Sequence, residues 1–409
     1  MDRVRRGRVA TSLIFLLFGA ALGVWTARIP AVKEGLGLSD GRLSVALLAF
    51  AAGCIAGMVL VGRLTDRFGS SRVLIPAALL EGVLLIPPGL SDGLVTLSVA
   101  LFVFGTVHGT LNIAMNANAA EVERERGRPI MSSFHAIYSI GGFLGAILGS
   151  VFAHAGVSVA VTLISVGLTA VMLAAAASAW VLRSSPPPGD EREPVGTELV
   201  GTEPGGGGPG GTRRDSAGRG SARPGGRRML LVFYGIVVVC TLVGEGAAAD
   251  WSAVHLRDER GTSEGAAAYG YAAFAIMMTL GRFVGDRAAG RFGPVAVIRA
   301  SGLLAAAGLG AGLVLAHPVA VIAGWGLFGL GLSCVAPQFF TAAAGVDPRR
   351  AGQALSTVVS IGYLGFLLGP IAIGAVATVV GLTTALWIPV VLAIFVAASA
   401  RSIRPSRAA

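Results

Sequence analysis

Long apolar runs alternate with short polar segments along almost the whole chain. Each run is roughly 20 residues long, the length that an α-helix needs to cross the hydrocarbon core of a membrane. The pattern predicts twelve spans in two groups of six. The first group covers about 9–31, 43–62, 73–90, 94–118, 131–154 and 157–182. The second covers about 229–254, 266–287, 295–316, 318–342, 352–376 and 380–400.

The composition agrees with this pattern. The chain of 409 residues is 54% hydrophobic and 13% charged, whereas a soluble domain has about 25% charged residues. We therefore expect an all-α membrane protein. The net charge of +10 does not indicate a nucleic-acid partner, because the arginines lie in loops that flank the predicted spans.

The basic residues also predict the orientation in the membrane. Of the 32 Lys and Arg residues, those expected at the outer face are Arg28, Lys33, Arg42, Arg257 and Arg260. All the others fall on the side of the N-terminus. Since basic loops stay in the cytoplasm, we expect both termini and the central segment to be cytoplasmic in a bacterial plasma membrane. The basic N-terminus followed by an apolar run imitates a signal peptide, but the run is long and indicates a retained first helix.

The two groups of spans predict two domains, 1–182 and 229–409, joined by the polar segment 183–228. That segment contains Pro186–Pro188 and Gly205–Gly208 and has almost no residues that form a core. It is typical of a disordered cytoplasmic connector. Contact of its arginines with membrane lipid, through Arg213, Arg214, Arg227 and Arg228, is the alternative.

A short basic motif recurs in both groups. Gly62–Gly69 (GRLTDRFG) lies between the second and third spans, and Gly281–Gly293 (GRFVGDRAAGRFG) lies at the matching place in the second group. The repeat indicates that the chain arose by duplication. The second copy departs from the pattern, since Gly285 is inserted before Asp286 and Arg291 comes later, so we expect it to match the role of the first copy less well.

Two six-helix groups, a central cytoplasmic loop and the GRxxDRxG motif resemble the major facilitator superfamily. More narrowly, Trp25–Pro30 (WTARIP), Ser133–Ala136 (SFHA) and Glu245–Ser252 (EGAAADWS) resemble uncharacterised bacterial inner-membrane permeases that are distantly similar to fucose permeases. The resemblance implies that spans 1, 4, 7 and 10 line a central cavity. It implies that spans 2, 5, 8 and 11 pack the halves together, and that spans 3, 6, 9 and 12 support them.

In this superfamily the loop Asp stabilises the state that is closed to the cytoplasm. A carboxylate is favourable near a helix N-terminus, which carries about half a positive charge. We expect Asp66 to reach the start of the eleventh span near Gly352–Gln353, and Asp286 to reach the fifth near Met131–Ser133. The predicted gate residues are Gly62, Arg63, Asp66, Arg67, Gly69, Arg282, Asp286 and Arg287. Two interpretations of these charges stay open. Either the arginines form ion pairs with Glu121, Glu123 or Asp347, or the charges only fix the topology.

Polar residues at membrane depth are costly and need a reason. His108, Asn112 and Asn116 follow one another at i, i+4 steps and share one face of the fourth span. They either bond to other helices or form a wall that contacts a polar solute, and we favour the wall. Glu81 in the third span, a supporting helix by the resemblance, is a weaker candidate.

The seventh span carries Glu245 and, near its outer end, Asp250. Burial in an apolar environment favours the protonated carboxyl, so Glu245 is a candidate for carrying a proton, or else a structural acid paired with an arginine. Asp250 alternatively pairs with Arg257. Arg28, near the outer end of the first span, pairs with Asp250, binds an anionic solute or extends its head group to the interface.

The remaining candidates lie in the last spans and in the fifth. Trp325 and Gln338 in the tenth span are candidate solute contacts, or else packing residues. Pro337 is expected to kink that span and Pro370 to break the eleventh. His135 and the glycines that follow it indicate that the fifth span is mainly an interface. The three cysteines fall in apolar runs and are expected to pack there.

We therefore predict a secondary active transporter that moves a small polar, sugar-like solute or other metabolite by alternating access, with coupling to protons. The alternative is a drug or metabolite efflux antiporter of the same fold. No ATP-binding loop and no hydrolase motif is present in the sequence, so direct ATP drive and an intramembrane enzyme are disfavoured. A transport-inactive sensor is a third option. We expect no cofactor and no metal site, contact with membrane lipid, and a monomer.

Overall fold

The computed structural model describes residues 3–183 and 224–403, and in these ranges the regular structure is helical. The first half contains α1 (Arg3–Gly35), α2 (Asp40–Phe68), α3 (Ser70–Leu84), α4 (Leu94–Arg126), α5 (Met131–His154) and α6 (Val159–Ser178). The second half contains α7 (Pro224–Val254), α8 (Glu264–Phe292), α9 (Pro294–Leu315), α10a (Pro318–Leu332), α10b (Val335–Val346), α11 (Ala351–Val380), α12a (Leu382–Ala385) and α12b (Trp387–Ser399). The predicted all-α fold is confirmed.

Several helices extend beyond the apolar runs. α1 begins at Arg3 and α4 continues to Arg126, so each has a turn or more of polar residues outside the predicted span. The backbone hydrogen bonds of a helix need no apolar side chains. A helix therefore continues into polar sequence until it reaches a residue that ends it. At the ends of α2 and α8 the stops are Gly69 and Gly293, whose φ angles of 85° and 81° favour glycine.

Most of the predicted connector, residues 184–223, lies outside the described residues. The prediction that it extends to 228 is wrong, because α7 already begins at Pro224. Arg213 and Arg214 are likewise outside the described part of the chain. Arg227 lies on the first turns of α7 and forms an ion pair with Asp347 at 3.2 Å.

Two prolines behave differently from one another. The tenth span is broken at Ser333–Cys334, four and three residues before Pro337. A proline ring clashes with the carbonyl group four residues earlier, which here belongs to Ser333, so the helix restarts as α10b. The eleventh span is not broken at Pro370, because α11 runs without interruption to Val380.

Hydropathy distinguishes one helix from the rest. In the described ranges, eleven helical segments are long and apolar enough to cross a membrane, with α10a and α10b counted together and α12a and α12b counted together. The exception is α8, which carries Arg282, Asp286 and Arg287 in its last third. Arg282 and Asp286 have partners in the interior of the bundle, so α8 spans as part of the bundle rather than as an independent apolar helix.

The same pairs of helices pack in each half. α1 packs on α5 and α6, α2 on α4, and α3 on α4 and α6. The corresponding pairs in the second half are α7 with α11 and α12b, α8 with α10a, and α9 with α10a and α12b. Glycines bring the helices close together: a Cβ atom at Gly141 of α5 would lie 2.1 Å from the Leu16 carbonyl oxygen of α1. The glycines of the fifth span thus pack on α1 of the same half.

The two halves are joined at one end of the bundle. α2 packs on α11 and α5 packs on α8, and α10b also contacts α4 and α5. We call this the inner end; it holds Asp66 and Asp286. The α5 face that carries Ser139 continues through Phe143, Ile147 and His154 in steps of three to seven residues. These outer residues line a groove of about 660 Å³, so this face is covered by α8 only towards the inner end.

Candidate functional site

The α2–α11 contact at the inner end is built on Asp66. Its carboxylate accepts hydrogen bonds from the backbone N–H groups of Gly352 at 2.7 Å and Gln353 at 3.0 Å, in the first turn of α11. Gly62, one turn earlier on α2, lets the helices approach, because a Cβ atom there would lie 2.7 Å from the Ser356 Cβ atom. The contact predicted for Asp66 is present, and its role as a gate stays a prediction.

The α5–α8 contact is built on Asp286. The carboxylate accepts hydrogen bonds from the backbone N–H groups of Ser132 at 2.8 Å and Ser133 at 2.7 Å, and also from the Ser133 hydroxyl group. Asp286 is 7% exposed, whereas Asp66 is only partly buried. The contact predicted for Asp286 is therefore also present.

The second copy of the motif makes its predicted contact although it departs from the pattern, and its role as a gate stays a prediction. Gly285 does not displace Asp286, because the extra residue lies within α8 and the helix continues past it. Gly285 instead allows close packing: a Cβ atom there would lie 2.4 Å from the Cys334 Sγ atom and 3.1 Å from the Ser132 Oγ atom. Asp286 and Arg287 thus take the places that Asp66 and Arg67 have in the first half.

A second acid joins the α5–α8 contact. Glu123, near the end of α4, accepts hydrogen bonds from the backbone N–H groups of Ile130 and Met131, each at 2.7 Å. Its other oxygen accepts one from the Thr341 hydroxyl group of α10b at 2.8 Å. A helix leaves its first N–H groups without helical partners. Here two carboxylates, one from each half, accept hydrogen bonds from the four consecutive N–H groups at the start of α5.

Two of the acids considered as partners of the arginines, Glu123 and Asp347, bond to other groups. Glu123 bonds to backbone groups and Thr341, and Asp347 pairs with Arg227. Arg287 donates to the Phe283 carbonyl oxygen on its own helix. Arg67 lies 5.3 Å from the centre of the Phe68 ring, and Arg63 is exposed. Whether these arginines form ion pairs or only fix the topology stays open.

Arg282 lies in the interior rather than at the loop. It is 8% exposed, and its Nη1 donates to the Ser139 hydroxyl oxygen of α5 at 2.5 Å. Its Nη2 lies 3.8 Å from the Glu245 Oε1 atom of α7. Arg282 is four residues before Asp286, so both side chains project from one face of α8 towards α5. The side chain of Glu245 is 22% exposed and is therefore accessible next to this arginine.

The predicted polar face of α4 is divided between two environments. Asn112 donates to the Tyr363 hydroxyl oxygen of α11 at 3.4 Å, which joins the two halves near the middle of the bundle. Asn116 donates to the Asn112 side chain at 3.0 Å, and its own Oδ1 lies 3.2 Å from the His135 Nε2 atom. His108 is not part of this network: its Nδ1 lies 2.6 Å from the Glu81 Oε1 atom.

The pairing of Glu81 with His108 does not follow from the sequence pattern. Both side chains are buried, at 3% and 1% exposed. The ring of Phe18 stacks on the imidazole with centroids 3.8 Å apart and an interplanar angle of 13°. In this arrangement His108 contacts no central solute. The signal that could have found the pair is that two isolated polar residues, in spans adjacent in the chain, each need a buried partner.

The outer candidates lie apart from this centre. Arg28 is 3% exposed and donates from Nη2 to the Val157 carbonyl oxygen at 2.6 Å. The predicted pair between Arg28 and Asp250 is not formed, and Asp250 is exposed. Trp325 is fully buried in the apolar core of the second half, at right angles to Phe328, so it does not contact a solute in this state.

Gln338 belongs to the inner part of the tenth span. It lies on the first turn of α10b and is 6% exposed. The same helix carries Phe339 and Phe340 in the apolar cluster between the halves. Phe340 lies 5.7 Å from the His135 ring, measured between centroids. Of the tenth-span candidates, Gln338 is therefore the one close to the interface of the two halves.

Comparison with known proteins gives consistent results. The model of the Major Facilitator Superfamily matches residues 10–204 and 236–408. An uncharacterised MFS-type transporter of Yersinia pestis is 33% identical over 396 residues, which cover 97% of this chain and 95% of that protein. The membrane protein MosC of Rhizobium meliloti is 31% identical over 393 residues, 95% of this chain and 88% of that protein.

Solved structures share the fold at low sequence identity. FucP, an MFS transporter crystallised in the outward conformation, superposes with a TM-score of 0.70 at 16% identity and covers 96% of this chain and 97% of that one. The proton:xylose symporter XylE gives a TM-score of 0.70 at 14% identity, with 97% of this chain and 94% of that one covered. At these identities the likeness concerns the fold alone.

Proposed function

The chain belongs to the major facilitator superfamily, and from this premise we propose that it moves a small polar solute across the membrane by alternating access, coupled to protons. The inner end faces the cytoplasm of a bacterial cell, as the distribution of basic residues favours. The arrangement with the halves joined at the inner end is then the state closed to the cytoplasm. Opening requires α11 to leave Asp66 and α8 to leave α5.

The solute site lies between the halves, where polar groups from both converge. Asn112 and Tyr363 meet across the halves, and Glu245 and Arg282 face α5 from the second half. These side chains offer hydrogen-bond donors, acceptors and one pair of opposite charges. Such a set suits a small solute with several hydroxyl or other polar groups better than an apolar drug.

The observation that carries the proposal is the chain of contacts from Glu245 to the inner end. The carboxylate of Glu245 is accessible and lies 3.8 Å from Arg282. Arg282 in turn bonds to Ser139 in the other half, one helical turn from Asp286. Protonation of Glu245 removes the negative charge beside Arg282, and a solute bound to Glu245 competes with Arg282 for the carboxylate. Either event changes how firmly α8 holds α5. A local event at the centre is thereby linked to the inner contact.

Proteins of the same fold with known solutes support this choice. Two of the solved structures are those of a fucose:proton symporter and a proton:xylose symporter. They are the reason that we prefer a sugar-like solute and proton coupling over efflux. The fold match alone does not transfer their substrates, so the solute has to be identified directly.

The test is a panel of sugars and other polar metabolites offered to the purified protein in liposomes that contain a pH reporter. The expected result is that one solute class enters and acidifies the interior, and that Glu245→Gln uncouples the two or stops both. Glu125→Gln, an exposed acid at the end of α4, is the matched control and should behave as the wild type. Solute flux that ignores an imposed pH gradient would refute the coupling.

A further inference from the structure

The first half contains a second ionisable pair, away from the central network. Glu81 of α3 and His108 of α4 lie 2.6 Å apart, Oε1 to Nδ1, and neither is more than 3% exposed. A buried acid and base at this distance share one proton between them, as a carboxylate with an imidazolium or as a neutral pair. Either form has no net charge.

Aromatic rings enclose this pair. Phe18 of α1 stacks on the imidazole at 3.8 Å between centroids, while Phe50 of α2 and Phe104 of α4 lie at 5.5 Å and 5.8 Å. A phenyl ring above an imidazolium is favourable, because the face of the ring is negative. The cage thus suits the charged form of the histidine as well as the neutral one.

The neighbouring helices bring little other charge to the pair. α1 faces it with Phe18, and α4 supplies Phe104 besides His108 itself. α2 contributes Phe50 and the uncharged thiol of Cys54. α6, which packs on α3 near Gly82 through Gly167, has no acidic or basic residue. In the described part of the chain, no arginine or lysine is found bonded to Glu81. Its ionisable hydrogen-bond partner there is His108.

One polar atom of the pair also lacks a hydrogen-bond partner. Glu81 Oε2 is buried and has no hydrogen-bond partner. A structural polar network in a protein interior normally satisfies all of its atoms, and a buried exception calls for an explanation. Because Oε2 has no partner, the carboxyl group of Glu81 can take up or release a proton while Oε1 keeps its short hydrogen bond to His108.

We propose that Glu81 and His108 form a proton-binding site, that Phe18 is its cover, and that the bound proton stabilises the arrangement closed at the inner end. The proposal rests on the proposed proton-coupled function and adds a site in the half that does not contain Glu245. Phe18 links this site to α5, because its ring also lies 5.6 Å, between centroids, from the ring of Tyr138, the residue before Ser139. Displacement of α1 moves Phe18 and connects His108 with the centre.

The direction of the effect follows from the charge. With its proton the pair is neutral and compatible with an apolar cage. Without it, the carboxylate of Glu81 carries an uncompensated charge, which is costly in such surroundings. Loss of the proton therefore disfavours the caged arrangement and favours one in which Phe18 has moved. Raising the pH should increase the population that is open at the inner end.

This population can be measured without knowledge of the solute. Spin labels on Arg128→Cys and Arg291→Cys, two exposed positions on either side of the α5–α8 contact, report the distance between the halves in nanodiscs. The three native cysteines are buried. In the otherwise wild-type protein the long-distance population should rise with pH. Glu81→Gln and His108→Gln should each reduce this pH response at least threefold, and Glu125→Gln should leave it unchanged.

The outcomes separate this site from the proposed function. A pH response that survives in both Glu81→Gln and His108→Gln but disappears in Glu245→Gln would overturn the site and leave coupling through Glu245 intact. A wild-type distribution that does not change with pH would also overturn the site, whereas proton-coupled flux is decided by the liposome assay. The proton-binding site is supported if the pH response is lost in Glu81→Gln or His108→Gln and retained in Glu245→Gln.

A second measurement guards against misfolded variants. The chain has five histidines, so the ring nitrogens of protein labelled with ¹⁵N-histidine can be assigned by substitution. In Phe18→Leu, which keeps an apolar side chain, the His108 ring proton should exchange with water at least tenfold faster than in the wild type. An unchanged exchange rate in a folded Phe18→Leu protein would show that Phe18 does not cover the site.

Discussion

The two contacts at the inner end are related by symmetry but differ in their burial and in the charged groups that form them. Asp66 bonds to the N–H groups of Gly352 and Gln353, and Asp286 bonds to those of Ser132 and Ser133. Asp286 lies 220 residues after Asp66, and Gly352 and Gln353 lie 220 residues after Ser132 and Ser133, so one contact is the image of the other. Yet Asp286 is more deeply buried than Asp66, and Glu123 and Arg282 add charged groups to the α5–α8 contact. In the α2–α11 contact Asp66 is the sole acid on the first turn of α11 within the described residues, and the further bond, from the Ser356 hydroxyl group to the Met58 carbonyl oxygen, is between neutral groups.

The residues that make the difference lie outside the repeated pattern. When Asp66 is aligned with Asp286, Glu123 corresponds to Ala343, a buried alanine that cannot cap α11. Arg282 corresponds to Gly62, which allows close packing instead of a bond to Ser139. Duplication accounts for one carboxylate at each site of helix contact, whereas Glu123 and Arg282 are present only between α5 and α8. We infer that the α2–α11 contact releases first when the inner end opens.

The largest effect is expected for Asp286→Asn. The substitution replaces one carboxylate oxygen by an NH₂ group that faces backbone N–H groups and cannot accept from them. Hydrogen bonds to a charged group contribute about 1.5–3 kcal/mol, so the open population should increase roughly 10- to 100-fold. The distance distribution between labels at positions 128 and 291 measures it. An unchanged distribution would mean that the buried contact is not what holds the halves.

Gly352→Ala should act on the other contact. Its Cβ atom would lie 2.8 Å from the Asp66 Oδ1 atom and 2.8 Å from the Gly62 carbonyl oxygen. Overpacking of this kind costs about 1–3 kcal/mol, and we expect the open population to rise about tenfold. Gly345→Ala is the matched control, because a Cβ atom there meets nothing within 4 Å. Equal effects of the two substitutions would contradict the close approach of α2 and α11.

Glu123→Gln tests the additional acid of the α5–α8 contact. The glutamine keeps one oxygen acceptor but loses the charge that strengthens the hydrogen bond from the Thr341 hydroxyl group of the other half. A loss of about 1 kcal/mol should raise the open population about fivefold. If combination with Asp286→Asn gives an effect that is simply additive, the two acids do not act as a unit on α5.

Asp66→Asn should have the smallest effect of the four. The protein should insert normally, since the charge is at the end of α2. A partly exposed carboxylate at a helix N-terminus contributes about 0.3–1 kcal/mol, which corresponds to a change of roughly two- to fivefold. An effect on the distance distribution as large as that of Asp286→Asn would reverse the ranking of the two contacts.

Much of the fold was predictable from the sequence because the membrane imposes a length and a hydropathy on each span. The ends were not, since α1 and α4 continue as helices in polar sequence where hydropathy gives no signal. The break before Pro337 was predictable from the clash of a proline ring. The continuity of α11 through Pro370 was not.

The candidate site was predictable in part. The partners of Asp66 and Asp286 followed from the resemblance and from the electrostatics of helix N-termini. The position of Arg282 did not, because a one-residue offset from the motif turns the side chain from the loop towards Glu245. The pairing of Glu81 with His108 and the bond of Glu123 to Thr341 depend on how helices pack, which a single sequence does not reveal.

Hydrogen exchange of backbone N–H groups at the two helix N-termini tests the central claim most directly. In the unmodified protein in nanodiscs, the N–H groups of Ser132 and Ser133, which bond to Asp286, should exchange at least about tenfold more slowly than those of Gly352 and Gln353, after correction for intrinsic rates. This result would show that the α5–α8 contact opens less often than the α2–α11 contact. Equal protection, or slower exchange at Gly352 and Gln353, would contradict it.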